Sequence, residues 1–129
     1  MSGWRWIPLP IILAIHSRQI AEHGGIDGVR DQGLLESALA RPQNLAAYKD
    51  PDVFDLAAAY GFGIANNHPF LDGNKRTAFV ATRLFLALHG WTITASAQDK
   101  IDTFLKLAGG ELKEKSLSTW LKGYSKTLL

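Results

Sequence analysis

The sequence contains no cysteine. Disulfides, thiolate metal sites and cysteine nucleophiles are therefore excluded, and the composition fits a reducing cytoplasm. Long apolar runs are missing too. The first apolar stretch, Ile7 to Ile15, is interrupted by Pro8 and Pro10 and followed by His16 and Arg18. It is too short to span a bilayer, and no small-residue cleavage site follows it. The expectation is a soluble, unexported, cytoplasmic chain with no membrane association. Basic residues are scattered, and the net charge is only +2. Without Lys and Arg blocks to follow a phosphodiester backbone, direct DNA binding by the chain alone is not expected. A weakly basic surface still favours an acidic partner or a nucleotide. The four histidines show no metal-ligand spacing, so no zinc site is expected. Internal repeats and low-complexity segments are absent as well.

What is present is a helical pattern. A chain of 129 residues, 47% hydrophobic, suits one domain, 1–129, that folds without staples. A first helix is expected over 10–23, with Ile11, Ile12, Ile15 and Gln19 at helical spacing and Gly24-Gly25 as its end. Asp31 is a suitable N-cap for a short helix, 32–40, that Pro42 stops; 42–51 then reads as a loop. Asp52 caps a third helix, 53–66, whose Ala and Gly content allows close neighbours and a central place. A fourth runs from Asn74 to His89. Trp91 to Thr94 reads as extended. Ser96 with Asp99 resembles a capping box opening a helix that ends at Gly109-Gly110. Ser116 opens a last helix reaching Leu128. The fold class is all-α, with six helices.

Asn66 to Thr77 reads NNHPFLDGNKRT and concentrates chemistry in one loop and one helix start. Gly73 lacks a Cβ, so a phosphate can approach its backbone. The helix that follows offers unpaired N–H groups and the positive end of its dipole. Lys75 and Arg76 add charge, Arg as a bidentate fork and Lys as a point charge. A carboxylate beside phosphates needs a cation between them, so Asp72 reads as a Mg²⁺ ligand. His68 carries an imidazole, the side chain best suited to removing a hydroxyl proton. Phe70 is the apolar anchor of the loop. The competing reading is ordinary turn chemistry, since His-Pro and Asp-Gly-Asn are common in turns. Two cations at a helix start oppose the dipole, however, and a bound anion would repair that.

The run HPFLDGNKR resembles the motif H-x-F-x-D/E-G/A-N-G/K-R of the Fic/Doc superfamily. Lys75 in its eighth place is similar to the Doc branch, the death-on-curing toxins. The stretch from Gly24 to Pro42 is similar to the segment upstream of the motif in such toxins, and Trp6 and His16 fit too. The resemblance implies a compact helical fold with the motif between two central helices. It implies His68 as general base, Asp72 on Mg²⁺, and Gly73, Asn74, Lys75 and Arg76 around the phosphates of ATP. Fic proteins attach AMP to target hydroxyls, whereas the Doc branch passes the γ-phosphate to a threonine of elongation factor Tu. Lys75 departs from the usual Gly of AMP-transferases, and Phe79 stands where they carry a second Arg. Both departures favour a kinase; Gly73, Ala in the Doc toxin, points the other way. The inhibitory motif S/T-x-x-x-E-G/N does not occur, so a separate antitoxin is the implied regulator. The resemblance also implies a flap that holds the target segment, placed at Leu45, Ala46, Ala47, Tyr48 and Lys49.

Other residues have simpler readings. A structural hydrogen bond is expected of His16, and helix-end roles of His23 and His89. Trp4, Trp6, Trp91 and Trp120 read as core or rim aromatics, or as anchors in an antitoxin groove. Residues 111–115 read as a solvated loop. Three functions follow: a Doc-like kinase toxin, an AMP-transferase, and a non-enzymatic anion- or partner-binding module.

Overall fold

The computed structural model describes residues 3–129. Helix α1, Leu9–His23, starts on Pro8 and Pro10, where a missing N–H is no loss, and stops at Gly24. Its buried side chains are Ile12 and His16, while Ile11, expected on the apolar face, is exposed. The line Ile12–His16 faces inward because the neighbour of His16 is the ring of Phe70.

Helix α2, Gln32–Tyr48, is capped by Asp31, whose carboxylate accepts from the Leu34 N–H at 2.9 Å. It does not stop at Pro42. Pro42 cannot donate to the Ala38 carbonyl four residues back. That carbonyl lies instead against Gly63, where an added Cβ would stand 3.1 Å from the Ala38 oxygen and 3.2 Å from its Cα. Close packing on a glycine accommodates the carbonyl that Pro42 leaves free, and Pro42 itself is buried. The expected loop at 42–51 is therefore mostly helix, and only 49–52 connect it to the next element.

Helix α3, Val53–Asn67, opens with a reciprocal capping box. The Asp55 N–H donates to Asp52 at 2.9 Å, and the Asp52 N–H donates to Asp55 at 3.0 Å. Helix α4 spans Asn74–Leu88, strand β1 Trp91–Ile93, helix α5 Ala97–Ala108, helix α6 Glu114–Gly123 and strand β2 Ser125–Thr127. Ser96 caps α5 by accepting from the Asp99 N–H at 3.1 Å. Eleven of the fifteen residues of α3 are buried, and it touches α2, α4, α5 and α6. The small residues that marked it as central allow those four approaches.

The C-terminal end departs from expectation. α6 begins at Glu114 rather than Ser116, with Glu114 at the positive dipole end and ion-paired to Arg41. It stops at Gly123 rather than Leu128. The following residues form β2, antiparallel to β1 with Trp91 opposite Thr127 and Ile93 opposite Ser125. A strand at 91–93 leaves backbone groups unpaired, and the chain end supplies them. Over the described residues the fold is thus six helices with one small two-stranded sheet.

Tyr60, Phe70, Phe85 and Phe104 are the largest fully buried side chains, each worth about 2–3 kcal/mol of burial. The Tyr60 hydroxyl accepts from the Ile7 N–H at 2.9 Å. Burial pushes its phenol above the ordinary range, against the opposing effect of that bond. Trp4 and Trp6 pack on Phe85, and Trp91 on Phe54. His89 closes α4: its Nδ1–H donates to the Phe85 carbonyl at 2.8 Å, while Nε2 accepts from the Arg5 N–H at 3.0 Å. Among the described residues no helix is long and apolar enough to cross a membrane.

Candidate active site

The loop between α3 and α4, together with the first turn of α4, holds every residue singled out from the HPFLDGNKR run. His68 ends α3 with φ 48° and ψ 56°. It is the one non-glycine with positive φ among the described residues, a conformation costing about 1 kcal/mol. Its side chain is exposed. Two residues on, Phe70 is 1% exposed and stacks on His16 at 3.8 Å, with 6° between ring planes. The loop is thus pinned at its middle while its two ends face outward.

Asp72 is half-buried. One carboxylate oxygen, Oδ2, accepts from the Ile26 N–H at 2.8 Å, and its backbone carbonyl accepts from His16 Nε2–H at 2.8 Å. Gly73 is the N-cap of α4 with φ 77° and ψ 15°, a conformation natural to glycine. A Cβ there would meet Ile20 at 3.2 Å and the His16 ring at 3.6 Å. The Asn74 side chain clamps the loop onto itself, accepting from the Phe70 N–H and donating to the Phe70 carbonyl, both at 2.9 Å. Its amide is therefore engaged within the loop; its backbone lies in the first turn of α4.

That first turn is electrostatically unbalanced. Among the described residues no side chain caps it, and no acidic residue lies in it. Lys75 and Arg76 stand there exposed, with no carboxylate within 4 Å among the described residues. Free N–H groups, a positive dipole end and two unpaired cations give this turn electrostatics that suit an anion. Both cations line a cleft of about 620 Å³ between α1, α4 and α5. Arg83 and Lys100 line it as well, with Glu22 its one carboxylate. Phe79 lies on its wall, edge-on to Phe104 at 5.2 Å. The Arg83 guanidinium carbon is 5.5 Å, and the Lys100 ammonium 6.0 Å, from the Phe79 ring centre.

Leu45 to Lys49 are elsewhere. Leu45 to Tyr48 form the last turn of α2, and Leu45 and Lys49 line a separate cleft with Arg41, Asp55 and Glu114. The segment is helical where a loop was expected, for the reason given at Pro42. Sequence reasoning also passed over Arg83 and Lys100, which only helix packing brings to the cleft, and it passed over Arg30. The Arg30 Nε–H donates to the His68 carbonyl at 2.7 Å, and Nη2–H to that of Asn67 at 2.9 Å. Its place beside the cap residue Asp31 carried no signal of that contact.

The profile of the Fic/DOC family matches residues 6–86, which include α1, the segment after it, the loop and most of α4. The chain belongs to the Fic/DOC family. It is 33% identical over 112 residues to the "Protein kinase doc" of Escherichia phage P1, covering 86% of this chain and 88% of that protein. It is 46% identical over 74 residues to the "Toxin Doc" of Mycolicibacterium smegmatis, covering 56% of this chain and 57% of that protein.

Proposed function

We propose that this chain is a Doc-like toxin: a Mg²⁺-dependent protein kinase that passes the γ-phosphate of ATP to a hydroxyl of a translation factor. A threonine of an elongation factor Tu-like protein is the target that the family resemblance suggests. The observation that carries the reading is the uncapped first turn of α4, where Lys75 and Arg76 stand unpaired, with the exposed, strained His68 at the opposite end of the loop. An anion corrects the charge of that turn, and a base stands at the other end of the same loop.

The target hydroxyl oxygen attacks the γ-phosphorus as the bond to the β–γ bridging oxygen breaks. His68 takes the hydroxyl proton, and ADP leaves. The Gly73, Asn74, Lys75 and Arg76 backbone, with the two cationic side chains, holds the phosphates. No cluster of three or more His, Cys, Asp or Glu gathers among the described residues. A single carboxylate with one oxygen already bonded, as in Asp72, suits Mg²⁺, which keeps waters and shares substrate phosphates. With the nucleotide bound, Mg²⁺ would offset phosphate charge beside Asp72. The two named Doc relatives suggest a cognate antitoxin as the regulating partner.

The test is intact-mass analysis of a purified translation factor incubated with this chain and Mg²⁺-ATP. Addition of one phosphate, lost in His68→Ala and weakened in Asp72→Ala, is the expected result. Addition of AMP would establish the second reading. One observation favours it: Arg83 returns a cation to the wall of Phe79, where AMP-transferases place a motif arginine. No addition, with His68 intact, would leave an anion- or partner-binding module.

A further inference from the structure

The loop from His68 to Asp72 is held along its length by a segment outside the motif. The Leu71 N–H donates to the Gly28 carbonyl at 3.0 Å. Val29 and Phe70 form an antiparallel bridge. The Pro69 carbonyl accepts from both the Arg30 and Asp31 N–H groups, at 2.7 and 3.1 Å. Two side chains then fix the ends. Arg30 grips the successive carbonyls of Asn67 and His68 at the C-terminal end of α3, where a cation also suits the dipole. His16, 2% exposed, donates to the Asp72 carbonyl. A carbonyl only accepts, so the His16 proton is on Nε2. Its Nδ1 faces the Asp27 carboxylate at 3.7 Å, too far for a hydrogen bond.

We propose that His16 and Arg30 are positioning residues: they hold His68 in its left-handed conformation and aim Asp72, without touching substrate. The proposal rests on the reading of His68 and Asp72 given above. A buried histidine stacked on an anchor ring has a structural explanation in its shape alone. The hydrogen-bond geometry adds something that shape does not need. Both side chains end on backbone carbonyls of the two residues proposed to do the chemistry.

Paired variants separate donor from shape. His16→Phe keeps a flat ring on Phe70 and removes the donor; His16→Gln keeps an N–H donor and removes the ring. Arg30→Lys keeps the charge and loses the fork, which grips two carbonyls at once. In phosphotransfer with Mg²⁺-ATP, kcat of His16→Phe should fall about tenfold or more, with KM for ATP within about twofold. His16→Gln should recover most of that loss, and Arg30→Lys should lie between wild type and Arg30→Ala. Wild-type kcat in His16→Phe, or a Gln variant worse than Phe, would overturn the proposal. Hydrogen exchange of the free chain decides it without activity. The Ile26 and Leu71 amides should exchange about tenfold faster in His16→Phe than in wild type, and nearly at the wild-type rate in His16→Gln. Nitrogen NMR of wild type should show a proton on His16 Nε2; a neutral ring with its sole proton on Nδ1 removes the donor outright. If wild type transfers nothing, the kinase reading fails, and the exchange and tautomer results still stand or fall by themselves.

Discussion

The two ends of α3 are built in opposite ways. At its start, polar groups are saturated: Asp52 and Asp55 cap each other, Ser118 donates to Asp55, Lys122 pairs with Asp52, and Arg41 with Glu114 nearby. At its finish, His68 is strained and exposed, and Lys75 and Arg76 face an uncapped helix start with no carboxylate. Saturated polar groups stabilise a fold; groups left unpaired or strained at a surface are what a ligand completes. One helix therefore carries a saturated, structural end and an unsatisfied end, the proposed chemical one.

The largest effect that can break this comparison lies at the chemical end. His68→Gly removes the proposed base and should cost at least about a hundredfold in phosphotransfer. The same change relaxes the left-handed residue, so thermal stability should hold or rise by up to about 1 kcal/mol. A variant melting well below wild type would place a structural load on the His68 side chain.

Midway along α3 the effect moves to packing. A Cβ at Gly61 would stand 2.5 Å from the Thr82 hydroxyl and 3.3 Å from Leu117. Thr82 is itself committed, donating to the Ala78 carbonyl at 2.8 Å. Gly61→Ala should lose about 1–3 kcal/mol in chemical denaturation. An unchanged midpoint would show that the α3–α4 contact yields freely.

The smallest effect is at the structural end. Asp52→Ala should cost about 1 kcal/mol near neutral pH and leave phosphotransfer unchanged. Burial opposes the Asp52 charge, but the Lys122 ammonium and the backbone N–H groups outweigh it and hold the carboxyl below its usual range. A carboxyl depressed on folding contributes stability above its unfolded value and loses it as pH falls through its folded value. The difference between wild type and Asp52→Ala should thus shrink as pH drops below about 4. Both ends of the Lys122 pair are largely solvated, so most of the effect belongs to the cap. A difference that persists at acid pH would mean the side chain acts through packing.

Much of this was legible because it is local. Asp31, Asp52 and Ser96 cap helices where their side chains are followed by suitable N–H groups. The Ala and Gly content of 53–66 marked the central helix, and the His68–Arg76 run marked the loop by its own composition. Where the reading missed, a partner distant in sequence was responsible. Pro42 continues a helix because Gly63 lets the Ala38 carbonyl approach. Residues 125–127 are extended because β1 has no other strand partner among the described residues. The Asn74 side chain closes on Phe70, which leaves its backbone N–H for the proposed phosphate contact.

By itself, then, the sequence determined that this is a helical chain with a loop whose residue types suit an anion, a base and a cation. Those properties follow from side-chain chemistry and short-range spacing. Tertiary structure alone decided how the loop is held: Arg30 and His16, 38 and 56 residues from their acceptors, meet it only when α1, α2 and α3 pack. It also decided that Arg83 and Lys100 share a cleft with Lys75 and Arg76. Such contacts arise from the burial of shared apolar faces, which fixes where polar tips arrive without leaving a pattern near them in the chain.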